Sequence, residues 1–226
     1  MKGMLKFIAA LSITLLLMLM FRALFFTVYA VPNDSMKPQF ESGDRILLNR
    51  CSYGLRTGED TRLGYSRWFK QQIDRGDITA FNYPLDSLGR VSKSPVLVGC
   101  CSAIPGDTVK INNDLSVVVP GKNVSIDITS DNVILICNML RMHEHRDSYV
   151  CNGKLYIDNR EVHRVTFSKD YYWIKGFGSS TFNNSRYFGF LPEDHIIGRI
   201  VMLVYSIDSK QSLDRCMRWD RFLKLL

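Results

Sequence analysis

No two cysteines in this 226-residue chain are spaced as CxxC, although six are present, at 51, 100, 101, 137, 151 and 216. A redox dithiol motif and a zinc ribbon are thereby excluded as readings of the sequence, and the cysteines do not fix the compartment. Internal repeats and low-complexity tracts are absent too, which removes solenoids and compositionally biased arms. Histidine is scarce, at four residues. Cys137, His143, His145 and Cys151 can be drawn as a metal site, since Cys and His are the usual zinc ligands. Their spacing matches no standard site, so the expectation is a loop with two exposed histidines, for which a Cys137–Cys151 disulfide is one possible closure. No metal and no cofactor is expected. The basic excess is moderate, a formal +7, and Lys and Arg are scattered between strand-like runs rather than massed in a tail or stripe. Nucleic acid is a poor partner for such a distribution.

There is a single apolar run of membrane length. From Phe7 to Phe21 only Ser12 and Thr14 are polar, and beyond Arg22 the apolar character resumes from Ala23 to Val31. Together these supply the ~20 residues of a bilayer crossing. Arg22 interrupts the run towards its outer end, where a long cationic side chain reaches the headgroups. Lys2 and Lys6 flank the other end, so the positive-inside rule places the N-terminus in the cytoplasm and the rest of the chain outside. A cleaved signal peptide competes with this, because Val28 and Ala30 have the spacing of a processing site. Cleavage there would leave the new N-terminus almost on Ser35, and Arg22 fits a retained anchor better. Basic residues beside apolar ones at both ends, Lys2 and Lys6, then Arg215, Arg218, Arg221 and Lys224, suit membrane lipid as a partner.

The remainder is long enough for one compact domain. Short β-branched and aromatic runs recur between turn signals: Arg45 to Leu48, Asp77 to Phe81, Pro95 to Val98, Thr108 to Ile111, Gly153 to Val162, Tyr171 to Ile174 and Ile196 to Tyr205. Leu155-Tyr156-Ile157 and Glu161-Val162 on either side of Asp158-Asn159-Arg160 read as a hairpin. Cys51 to Gln72 lacks strand alternation and reads as a partly helical insertion, in which Trp68-Phe69-Lys70 either touches lipid or packs over one end of the sheet. Leu213 to Leu226 alternates basic and apolar residues at roughly helical spacing, as an interfacial helix or one packed on the domain.

Five segments, in order behind this one apolar run, carry a resemblance. They are Arg22 to Ser35, Gly43-Asp44-Arg45-Ile46-Leu47-Leu48-Asn49, Arg75-Gly76-Asp77-Ile78, Ile104-Pro105-Gly106-Asp107-Thr108-Val109, and Asn184-Ser185-Arg186 through Gly198. Together they resemble bacterial signal peptidase I, the membrane-anchored Ser/Lys endopeptidase family that removes signal peptides from exported preproteins. The resemblance implies a mainly β fold, with an N-terminal transmembrane helix (1–31), a β-rich signal-peptidase-like catalytic domain (32–208) and a basic amphipathic C-terminal segment (209–226). It implies location in the inner or plasma membrane, single-pass, and signal peptides as partners. It makes Ser35 the nucleophile, with its own amide and the Asn33 side chain stabilising the oxyanion and Arg186 in support. Gly43-Asp44 and Pro105-Gly106-Asp107 read as turn chemistry.

The departures concern the base. The family's lysine stands six residues before the Pro of the Pro-Gly-Asp turn, and in this chain that position is Gly99, followed by Cys100 where Arg is common. The family's Gly-Asp-Asn-Arg becomes Gly176-Phe177-Gly178-Ser179, its lysine-orienting serine becomes Phe182, and a nearby Asp becomes Asn184. Lys175, directly before Gly176, is the candidate relocated base if its side chain turns inward; an exposed lysine at a strand end is the alternative. Two functions follow: an active signal peptidase with a base from elsewhere, or a catalytically impaired homologue that binds preproteins or assists secretion. If only the base is missing, Gly99→Lys combined with Phe182→Ser should raise cleavage.

Overall fold

The computed structural model describes residues 2–31, 36–57, 66–84, 95–111, 115–178, 184–208 and 217–226. The chain opens with helix α1 (Lys2–Phe25) and runs directly into β1 (Phe26–Ala30), β2 (Asp44–Asn49), β3 (Leu55–Thr57), β4 (Ser66–Trp68), β5 (Ile78–Asn82) and β6 (Val96–Ala103). Next come β7 (Thr108–Lys110), β8 (Ser116–Val118), β9 (Ser125–Asp127), α2 (Val133–His143), β10 (Ser148–Cys151), β11 (Lys154–Ile157), β12 (Arg160–Val162) and β13 (Arg164–Thr166). The last elements are β14 (Tyr171–Gly176), α3 (Ser185–Phe188), β15 (Leu191–Pro192), β16 (Ile196–Ser206) and β17 (Lys224–Leu225). The mainly β expectation holds. One antiparallel sheet in the order β1-β2-β16-β5-β6-β14-β15 carries the fold, with β17 added along β16, and four small sheets complete the described residues, of which β10-β11-β12 packs against α2.

Most of the strands expected from alternation are present within a residue or two at each end. The 155–162 hairpin forms as read, turning on Asp158 and Asn159 at positive φ, the conformation of a tight hairpin turn. Three segments differ from expectation. Residues 133–143 are a helix, not the first part of a loop: buried Val133, Ile136, Cys137, Leu140 and His143 recur at helical spacing, and the β-branched start hides that period. His143 is therefore buried, and Cys137 and Cys151 are both free thiols, so no disulfide closes the segment. Among its described residues the 51–72 segment holds the antiparallel pair β3/β4 and no helix, with Trp68 and Phe69 exposed and Lys70 held between Asp170 and Glu193; residues 58–65 lie outside the described residues. At the C-terminus, residues 217–226 form a 3-10 turn and β17 instead of a helix. β5 pairs with β16 only as far as Arg199, which leaves the later part of that edge open for Leu225 to pair with Met202.

Side chains alternate across a strand, so directly opposed residues share a face. In the centre of the main sheet Ile78 opposes Cys100, Thr79 opposes Gly99, Ala80 opposes Val98, Lys175 opposes Cys100 and Gly176 opposes Gly99. One face supports a cluster of Val31, Met36, Phe40, Ile46, Leu48, Ala80, Val98, Ile197 and Ile200, against which Ile78 and Phe177 pack. The other supports Tyr53, Ile73, Phe81, Cys101, Tyr172, Ile174 and Phe188.

The described side chains of α1 run unbroken over residues 6–22, all of them exposed. Among the described residues no helix is long and apolar enough to cross a membrane.

Candidate active site

Ser35 and Asn33 lie outside the described residues, but both ends of their segment are placed. Val31 is buried and donates its N–H to Asp44 O at 2.9 Å, while its carbonyl accepts from Gly43 N at 3.1 Å. On the far side Met36 is buried in the first-face cluster, and its carbonyl accepts the Phe40 N–H at 3.1 Å. The chain thus enters and leaves the Ser35 segment over the same face of the sheet.

The turn chemistry is structural, as expected. Gly43 has φ +93°, and a Cβ there would lie 1.8 Å from the Ile207 carbonyl oxygen, so only glycine fits. Asp44 is fully buried; burial pushes its carboxyl up, but hydrogen bonds from Arg221 and the Glu41 amide outweigh this and hold it below the usual range. Asp107 caps its own turn by accepting from Ile104 N at 2.9 Å and pairs with Arg75, whose hydrogen bond holds the carboxyl down to about 2.

Gly99 is buried in β6, and its missing Cβ points towards the second face. An added Cβ would meet Ile174 Cγ2 at 2.4 Å, the Lys175 carbonyl oxygen at 3.1 Å and Phe81 Cε1 at 3.4 Å. The space in which a lysine would start is therefore occupied by Ile174. Gly99→Lys, also when combined with Phe182→Ser, thus needs Ile174 to move before its side chain has room.

Lys175 opposes Cys100 and points to the first face, which also carries Met36 and Phe40. Its side chain is exposed at the edge of that face. Two residues further along, Phe177 sets its ring edge-on against Phe40, with centroids 5.6 Å apart and planes at 84°. Between Lys175 and the cluster sits the half-buried Cys100; burial pushes its thiol up, against the pull of the Lys175 charge.

The last box plays a supporting part. Asn184, standing where the family has an Asp, caps α3 by accepting the Arg186 N–H at 3.1 Å. Ser185, which sequence reasoning did not single out, is buried and accepts the Ile174 N–H at 2.8 Å, tying α3 to the strand that carries Lys175. Arg186 itself is exposed and lines a cleft of about 490 Å³ between α2 and α3, with Ile134, Leu135, Met142 and Trp173. Phe182 lies outside the described residues. At the inner rim of that cleft His143 packs its ring 5.7 Å from that of His195; burial, with the His195 and Lys169 charges, pushes His143 down to about 4, although Asp194 pulls the other way. Lys169 bridges Asp194 and the His143 carbonyl at 2.7 and 2.8 Å.

Compared with known proteins, residues 4–205 match the family described as signal peptidase, peptidase S26. Signal peptidase I of Pseudomonas aeruginosa is 25% identical over 213 residues, spanning 82% of this chain and 66% of the relative. Signal peptidase I of Buchnera aphidicola is 25% identical over 228 residues, covering 81% and 71% of the two chains. Signal peptidase IB of Staphylococcus aureus is 22% identical over 202 residues and covers 88% of each. The chain thus spans just under two thirds of the Pseudomonas relative's length.

Proposed function

We propose, from the premise that this chain belongs to the signal peptidase, peptidase S26 family, that it is a membrane-anchored endopeptidase that removes signal peptides from exported preproteins. Ser35 is its nucleophile and Lys175 its base. The observation that carries the assignment of the base is the strand register: Lys175 shares a face with Met36, the neighbour of Ser35, whereas the Gly99 position faces a packed core.

In this reading the signal peptide lies extended over the apolar floor formed by Val31, Met36, Ala80 and Val98. An apolar segment lying there also excludes bulk water from the reacting groups. Ser35 Oγ then attacks the scissile carbonyl carbon while its proton passes to Lys175 Nζ. The Ser35 amide and the Asn33 side chain donate to the oxyanion. Collapse breaks the C–N bond, and the Lys175 proton goes to the leaving amine. Water, deprotonated by the same lysine, hydrolyses the acyl ester and restores Ser35.

Helix α1 is the anchor. This reading takes the helix at its full 24 residues, which at ~1.5 Å per residue reach ~36 Å against a ~30 Å hydrocarbon core, whereas the residues whose side chains are described do not by themselves make a span long and apolar enough to cross. Lys2 and Lys6 place its start in the cytoplasm, and the β-rich part works at the outer face. The test is cleavage of a preprotein by the detergent-solubilised full chain, with the new N-terminus read by mass spectrometry. Ser35→Ala should abolish cleavage. If the wild type crosslinks a signal peptide but never cuts it, the binding homologue is the correct reading.

A further inference from the structure

We infer that the cleft between α2 and α3 is a binding site for a free long-chain fatty acid, its carboxylate held by Arg186 and its chain laid along the outer side of α2. The inference does not rest on the proposed dyad. Helix α2 is apolar on two sides. Val133, Ile136, Cys137 and Leu140 are buried in the core, whereas Ile134 and Met142, 66% and 45% exposed, line the cleft with half-buried Leu135. Trp173 of β14 and Tyr187 of α3 add to its apolar walls. The polar groups are few and unequal. Arg186 is the only Lys or Arg lining the cleft, and among the described residues no group pairs with its guanidinium. Ser185 Oγ is already engaged by the Ile174 N–H. Asp131, which accepts from Ser130 Oγ at 3.1 Å, repels an anion. The head therefore belongs at Arg186, whose planar fork matches a carboxylate.

The walls decide between occupants. An extended peptide would bring backbone N–H and C=O groups against apolar side chains that cannot pair with them, at a cost for each group, and an alkyl chain brings none. A helical partner satisfies its own backbone but needs width. The 11 residues of α2 run ~16 Å, and about 490 Å³ spread along them leaves a cross-section of roughly 30 Å², under half that of a helix ~10 Å across. A single alkyl chain is the shape that fits, in a cleft whose volume suits a small ligand.

Trp173, in the cleft wall, supplies the readout once the exposed Trp68 and Trp219 are replaced by Phe. The full chain in phosphatidylcholine nanodiscs is titrated with palmitic acid brominated on its chain, which quenches a tryptophan that it touches. Quenching should saturate and be displaced by plain palmitate. Arg186→Gln should raise the half-saturating concentration ~10- to 100-fold, the worth of a charge-assisted pair, and uncharged hexadecanol should compete correspondingly poorly with the wild-type site. Ile134→Glu should remove the saturable phase; if thermal melts show that it unfolds, Arg186→Gln and hexadecanol decide. Discs made with brominated phosphatidylcholine should leave Trp173 bright. Quenching that never saturates, equal competition by palmitate and hexadecanol, or an unchanged midpoint in Arg186→Gln would overturn the site. Quenching by brominated phosphatidylcholine would overturn it in favour of the bilayer's own acyl chains, and displacement by an acidic peptide but not by palmitate in favour of a protein partner.

Discussion

On one face of the β6–β14 ladder Gly99 lies against Ile174 and Phe81 with no room for another carbon; on the other, Cys100 and Lys175 stand opposed at the edge of the Met36–Phe40 cluster. The Gly99 face is closed and apolar, whereas the Lys175 face is open and carries a charge. The difference teaches that loss of a base at one position and retention of a base nearby are separate questions. A residue count along β6 answers only the first. The second depends on the neighbouring strand, and on which of its residues turn towards the Ser35 segment.

The largest expected effect lies on the open face. Lys175→Ala should lower Ser35-dependent preprotein cleavage by ~10²-fold or more, the size of general-base catalysis. Initial rates measure it, and cleavage that survives Lys175→Ala but not Ser35→Ala would move the base elsewhere.

Acid should act next, beyond the ladder, where α2 meets the last box. His143 is held neutral in the fold, at about 4, while the unfolded chain takes up its proton near 6.5. Its contribution is therefore complete above pH 6.5 and is lost as the pH falls towards about 4, by up to ~3 kcal/mol. Beside it burial pushes the Asp194 carboxyl up, but the Lys169 charge, paired with it at 2.7 Å, and His195 hold it below the usual range, while burial pushes His195 itself down. Denaturant melts at stepped pH check this, and His143→Gln should flatten the slope.

A smaller loss is expected on the closed face. Gly99→Ala forces a methyl against Ile174 and should cost ~1–3 kcal/mol as overpacking. Gly99→Lys should cost more, since it also buries an amine, and should give no gain in cleavage unless Ile174 is shortened as well. A neutral Gly99→Ala in thermal melts would show that the closed face is loosely packed and reopen the lysine position. The smallest effect should come from Asn184→Ala, which removes the cap of α3 at ~1 kcal/mol and tests whether the last box only supports β14.

Much of this arrangement was legible beforehand, and the failures have specific causes. Turn glycines and acids, such as Gly43 with Asp44, act through the two or three residues beside them, so local chemistry sufficed. Helix α2 was hidden because Val133, Ile134 and Ile136 have strand-forming side chains, and only its packing against β10 and β11 shows that the buried positions follow a helical period. The C-terminal residues failed for the opposite reason. Their helical spacing was real, but the open edge of β16, together with Arg218 and Arg221 reaching Glu41 and Asp44, drew them into an extended pairing.

The amino-acid order alone determined that the chain is β-rich, that its ordered boxes belong to one family and that a lysine, Lys175, stands just before the last box. It could not determine which way that lysine faces. The register between β14 and β6 slips between Trp173 and Ile174, and a one-residue slip moves every later side chain to the other face of a sheet. The slip is an outcome of strand pairing, so Lys175 meets the Met36 face only once β6, β14 and the turn holding Phe40 are packed together.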